Sequence, residues 1–194
     1  MTEVESLFYP WVKQTFYLVY QIVKEKIAAS LEKAFSQYGF AEPSVPQLKN
    51  ACEVSLRTLY KYYPSKEAMI VAALEHRHQR YLSFLLEDAP ANGTPTVLHL
   101  FTRLEDWMKE FAPNGCMSIN ALAAYPENLS INQAVKQHKL AVRQLMVQLS
   151  QREDLATTLF LLHEGLSNAW PVLGHAAFAS AEHTLLELMK ENNQ

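Results

Sequence analysis

Ser44 to Lys66 reads SVPQLKNACEVSLRTLYKYYPSK, and the fold turns on how this stretch is read. Ser44 opens a short helix with Gln47 three residues on, the spacing of a capping box. Leu48, Ala51 and Cys52 form its inner face. The turn Glu53-Val54-Ser55 follows, and Ser55 caps a second helix with Val54 and Leu59 placed as a hydrophobic staple. Pro64 stops that helix near Tyr62, and Ser65 caps the next, which runs long from Lys66 to about Leu86. Two short helices joined by a three-residue turn make a helix-turn-helix.

On the second short helix, Leu59 and Tyr63 lie four apart and point inward, while Leu56, Arg57, Tyr60 and Lys61 share an outer face. An Arg in that place can pair with guanine O6 and N7, and Leu56 or Thr58 can touch a thymine methyl. Tyr60, Lys61 and Ser44 suit phosphates, which position a helix without reading sequence. Lys66 sits in the first turn of the following helix, where free backbone N–H groups favour the same anion. Tyr62 and Lys24 complete the candidate DNA-binding set. A short basic, aromatic helix is equally compatible with a plain solvated face.

Upstream, Ile27, Leu31, Ala34, Phe35 and Tyr38 recur at three- and four-residue steps, and Gly39 follows as a stop. Downstream, Pro90, Asn92 and Gly93 mark a loop, after which Thr94 caps a helix with Pro95 at its first position. Further helices are expected at 116–125, 130–150, 153–173 and 178–190, with Pro171 kinking the third of these or ending it early. No strand-period run of useful length interrupts them, so the fold class is all-α. The expected organisation is an aromatic extension at 1–23, a helix-turn-helix domain at 24–66 and a helical domain at 67–194.

Composition narrows the function. The chain of 194 residues carries a net charge of −3, so it is not a globally basic nucleic-acid binder. From Lys24 to Arg80, however, nine Lys or Arg face six Glu, a local excess of +3. A mildly basic front fits a polyanionic partner. Five glycines disfavour glycine-rich phosphate loops. Cys52 and Cys116 stand far apart without a C-x-x-C pair, which points to a reducing, cytoplasmic setting. The start MTEVESLFYPWVKQTFYLVYQIV is acidic where a signal peptide is basic, and it lacks the roughly 20 apolar residues of a membrane span. It reads as a cap that packs on the protein or on a partner subunit.

The run IAASLEKAFSQYGF, followed by SVPQLKNACEVSLRTLYKYYPSKEAMIVAAL, resembles the DNA-binding domain of TetR-family transcriptional regulators from Lys24 to Leu74. The matching positions are Ile27, Phe35, Gly39 and Phe40, then Ser44, Val45, Leu48 and Ala51. They continue with Ser55, Thr58, Leu59, Tyr60, Tyr63, Ser65, Lys66 and Glu67. Gly115-Cys116-Met117 with Asn120-Ala121 is similar to a segment of that family's ligand-binding domains. The resemblance implies a homodimer joined through its last two helices, a small-molecule effector, and recognition helices in successive major grooves of a pseudo-palindrome. It implies a repressor that leaves its operator when the effector binds. Two positions depart from the pattern. Glu53 stands where the family usually has Gly, and Lys24 and Lys26 are the only cations available for a basic arm. Both lower non-specific affinity and motivate the alternative of a helical dimer that binds a ligand or protein with little or no DNA affinity.

Candidate effector-contacting residues are Trp107, Phe111, Met117, Asn120, Tyr125, His138, His163 and Trp170, an aromatic set with a few polar groups that suits a moderately hydrophobic ligand. Aromatics and Met at helical spacing also make plain core. His76 and His78, two apart, point to different helix faces, and no His pair has the spacing of a metal site. No cofactor and no metal is expected. Cys116 opens a helix, a place that can lower a thiol pKa. No nucleophile elbow, phosphate loop or paired-carboxylate pattern suggests an enzyme.

Overall fold

The structure, a computed structural model, describes the backbone of residues 3–190 and the side chains of residues 13–190. Nine α-helices follow one another among the described residues: α1 (Glu3–Tyr38), α2 (Val45–Ala51), α3 (Leu56–Tyr62), α4 (Lys66–Leu86), α5 (Thr94–Glu110), α6 (Met117–Ala124), α7 (Leu129–Ser150), α8 (Ala156–Leu173) and α9 (His175–Lys190). A single 3-10 turn at Glu153–Leu155 precedes α8. The chain divides into two compact units, Met1–His76 and Arg77–Gln194, so residues 66–76 of α4 pack as part of the first.

The first unit is a three-helix wrap closed by the start of α4. Ile27, Leu31 and Phe35 of α1, Leu48 of α2, Leu59 of α3 and Ile70 of α4 are buried together at its centre. Of the stripe read from the sequence, Ile27, Leu31, Ala34 and Phe35 go inside, whereas Tyr38, in the last turn of α1, lies exposed. Gly39 ends α1 at φ +74°, in the left-handed region that glycine enters without cost. Phe40 then folds back to stack on Phe35, with ring centroids 5.1 Å apart. Glu32 is buried in the same stripe and meets the His76 ring of α4.

The extension runs without a break into the first unit. Its backbone is the beginning of α1, and Phe16, Tyr17, Leu18 and Val19 lie exposed along that helix. Full burial along α1 begins at Ile27, and before it Tyr20 packs on Tyr62 of α3. The cap reading for the side chains of residues 1–12 lies outside the described residues.

In the second unit, α5, α7, α8 and α9 enclose a core that includes Leu100, Leu104, Met108, Val142, Met146 and Leu159. Three local expectations shift. Gly93, at φ +103°, takes the N-cap of α5, so Thr94 is the first helical residue and Pro95 the second. The helix expected from 153 begins with the 3-10 turn, and α9 begins at His175 rather than 178. Pro171 does not stop α8, which continues to Leu173. It stands two residues from the helix end, where a missing N–H costs one late bond rather than a run of them. Its ring is met by the loop at Gly115, where a Cβ would stand 3.3 Å from Pro171 Cγ.

Leu59 is fully buried on a helix of only seven residues. Leu59→Ala is expected to lower the unfolding free energy by about 3 kcal/mol, the usual cost of emptying a core leucine site. Urea denaturation of the full chain checks this.

Candidate nucleic-acid interface and the second unit

The interface is built by caps and a turn. Gln47 Oε1 accepts from the Ser44 N–H at 2.8 Å and from the Ser44 hydroxyl at 2.7 Å, which sets the entry of α2. After α2, Glu53 adopts φ +54°, the conformation for which the resembling family uses glycine. Its N–H donates to the Asn50 carbonyl at 3.0 Å, so the turn keeps its geometry and the side chain bears the strain. Ser55 Oγ then accepts from the Thr58 N–H at 3.0 Å and fixes the first turn of α3.

Inside, the Tyr63 hydroxyl donates to the Lys24 carbonyl at 3.0 Å and ties the end of α3 to α1. Burial, with help from nearby Glu25, pushes the phenol up to about 12, so it stays a donor throughout the working range. Cys52 lies over the Ile27 carbonyl at 3.8 Å, and burial pushes its thiol up to about 11. That cysteine is inert packing.

Outside, α3 leaves Leu56 (44% exposed), Arg57, Tyr60 (41%) and Lys61 open, while Thr58 and Tyr62 are half-covered. Tyr62 stacks against Tyr20 at 4.7 Å, and the Lys61 ammonium lies 5.7 Å from the Tyr62 ring centre. Ser44 is exposed at the head of α2. Lys66 Nζ donates to the Ala41 carbonyl at 3.1 Å, a tie with no signal in the sequence pattern, and Lys24 is half-covered on α1. Cations, hydroxyls and one aliphatic tip thus stand around one short helix, a surface able to bind phosphates and reach base edges.

The eight residues expected to meet an effector are scattered in part. Trp107 and Phe111 stack at 4.7 Å, and Tyr81 joins Trp107 edge-on at 5.0 Å and His163 at 5.9 Å. Met117 and His138 are buried, His138 in a parallel stack on His78 at 4.3 Å. Trp170 packs instead on Phe178, Tyr125 caps the end of α6, and Asn120 points outward from α6. A surface cavity of about 190 Å³ between α5 and α9 is lined by Phe101, Glu105, His175 and Phe178, with none of the eight.

Residues missed from the sequence surround Trp107 and His163. The guanidinium groups of Arg77 and Arg80 lie 5.1 and 5.5 Å from the Trp107 ring, and Arg77 donates to the Phe111 carbonyl at 2.8 Å. Lys139 pairs with Glu164 at 2.6 Å. A Glu inside the apolar run ATTLFLLHEGL is the legible signal for that pair, since a carboxylate there needs a partner. Among the described residues no three His, Cys, Asp or Glu side chains converge as metal ligands would, and no helix is long and apolar enough to cross a membrane.

Residues 27–73, the span holding this helix-turn-helix, match the family described as bacterial regulatory proteins, tetR family. The chain carries a tetR-family regulator domain. TetR-family proteins are transcription regulators rather than enzymes. The uncharacterized HTH-type transcriptional regulator YuxN of Bacillus subtilis is 29% identical over 80 residues, which is 40% of this chain and 28% of YuxN. Solved structures match the fold over most of the chain. SCO4454, a TetR-family transcriptional regulator from Streptomyces coelicolor, aligns with a TM-score of 0.76 at 17% identity, covering 89% of this chain and 96% of that one. The reduced form of E. coli NemR aligns at 0.70 and 22% identity, over 86% and 97%. The likeness to these structures is one of fold, and it includes helices of the second unit as well as the family domain.

Glu53→Gly is expected to stabilise this tetR-family domain by about 0.5–1 kcal/mol, because glycine accepts the left-handed backbone that glutamate resists. Thermal unfolding of the two chains checks the sign.

Proposed function

We propose that this chain is a ligand-responsive transcriptional regulator that binds a pseudo-palindromic operator as a homodimer through α3. One observation carries the reading. A helix of seven residues buries Leu59 and, just past its end, Tyr63, yet keeps Leu56, Arg57, Tyr60 and Lys61 open to solvent. In this reading Arg57 and Leu56 contact bases. Ser44, Tyr60, Lys61 and Lys66 contact phosphates, and Thr58, Tyr62 and Lys24 border them. Two such helices, one from each subunit, fall roughly 34 Å apart on successive major grooves. The output is repression, relieved by a small, largely hydrophobic effector that binds the second unit near Trp107, Phe111, Met117, His138 and His163. Such an effector releases DNA only if it binds the DNA-incompetent arrangement more tightly.

Selection of bound sequences from a random duplex pool tests this. A two-fold motif is expected, and on it Arg57→Ala should cost about 1–3 kcal/mol and relax preference at one base pair in each half-site. Lys61→Ala should weaken all sequences alike and flatten the dependence of log K on log salt by about one unit for each phosphate it no longer neutralises. No enrichment from a folded dimer would instead support a helical dimer with little DNA affinity. Glu53, an exposed carboxylate in the turn, favours that second reading.

A further inference from the structure

Five side chains of the second unit form one continuous hydrogen-bonded series across four elements. Lys139 Nζ on α7 donates to both oxygens of Glu164 on α8, at 2.8 and 2.6 Å, and to Cys116 Sγ at the head of α6, at 3.3 Å. Glu164 Oε1 also lies 3.0 Å from Nδ1 of its neighbour His163. At the other edge of that imidazole, Nε2 meets the hydroxyl of Tyr81 on α4.

The proton positions along this series follow from its two ends. An ammonium only donates and an ionised carboxylate only accepts. His163 Nδ1 must therefore carry the hydrogen it gives to Glu164, and its Nε2 accepts from the Tyr81 O–H. The imidazole is neutral, in the Nδ1–H form. A second proton on Nε2 would turn the Tyr81 hydroxyl from donor to acceptor and leave its hydrogen without this partner. It would also place a second cation beside Lys139 with Glu164 shared between the two. His163 is only 4% exposed, and the Phe160 ring lies parallel to it, so water cannot readily take up the difference.

We propose that this series is a proton-operated latch between α4 and α8, closed while His163 is neutral and opened when acid protonates it. The groups acting on the imidazole are Tyr81 from α4, Lys139 from α7 and its neighbour Glu164 on α8, while Arg77 of α4 and Cys116 at the start of α6 act on the Tyr81 hydroxyl. From α5 it is the uncharged Trp107 that packs on Tyr81. Burial acts most strongly on His163 and holds it below the usual histidine range, against the pull of Glu164 and with the help of Lys139. Glu164 stays ionised because His163 and Lys139 hold it low against its own burial. The unfolded chain therefore takes up the proton first. The closed state keeps its full stability above about pH 6.5 and loses it as pH falls below that value.

Nitrogen-detected NMR of the imidazoles, with hydrogen exchange of residues 77–86, tests the latch on the full chain. The Nδ1–H form of His163 is expected at pH 7.5. Protection of 77–86, corrected for intrinsic exchange, should fall severalfold between pH 7.5 and 5.5, with about tenfold as the limit reached when the closed imidazole takes up no proton over this interval. In His163→Gln, whose amide does not titrate, protection should change by less than about twofold over the same interval. An Nε2–H imidazole, unchanged protection in acid, or an equal fall in the Gln variant would overturn the proposal. The tautomer is read on the wild-type chain, so failure of the variant to fold leaves the test intact.

Discussion

A seven-residue helix has no stability of its own, because one costly nucleus is followed by too few propagating bonds. The whole helix-turn-helix depends on how α3 escapes that limit. Its inner edge is held by Leu59, which is fully buried, and by the Tyr63 hydroxyl on the Lys24 carbonyl. Its start is held by Ser55 on the Thr58 N–H. With both ends and the inner face committed, the outer face is free to carry Arg57, Tyr60 and Lys61 without any structural duty. α1, α2 and the head of α4 are best understood as the scaffold that makes such a short helix rigid.

The first unit is legible in sequence because its rules are local. Capping spacing at Ser44 and Ser55, the stop at Gly39 and the stripe from Ile27 to Phe35 act within one or two helical turns, and each appears where the pattern places it. Even the anomaly is readable. Glu53 in a turn that prefers glycine implies an unusual backbone, and its positive φ is that backbone. Pattern reading fails where the rule needs a neighbour. An aromatic run at 16–19 predicts burial only if a layer lies beside it, and none of the described elements supplies one. Pro171 predicts a helix end only where several bonds are at stake.

The second unit is harder to read, for a different reason. Tyr81, Cys116, Lys139, His163 and Glu164 come from four helical elements and are drawn together by packing that periodicity cannot order. Periodicity identifies His163 as a polar group on an apolar stripe but cannot name Tyr81 and Glu164 as its partners. Asn120, singled out by the same logic, faces outward, because the stripe on an eight-residue helix is too short to define which side is inside. Trp107 lies in the core as its stripe predicts, yet nothing in the pattern announces the two guanidinium groups beside it. Cationic side chains seldom enter an interior, so sequence patterns assign them to the surface by default.

In the proposed reading, the brevity of α3 also sets how much information one copy of the chain can extract from DNA. Seven residues at 1.5 Å each span about 10 Å, the length of roughly three base pairs. Three or four positions read without error distinguish on the order of 100 sequences, whereas a genome offers about a million or more competing sites. One copy of this helix would be lost among near-identical addresses. Squaring that discrimination with a second copy at a fixed spacing brings the count of matching sites down by the same factor again, so the spacing between the helices is itself part of the message being read.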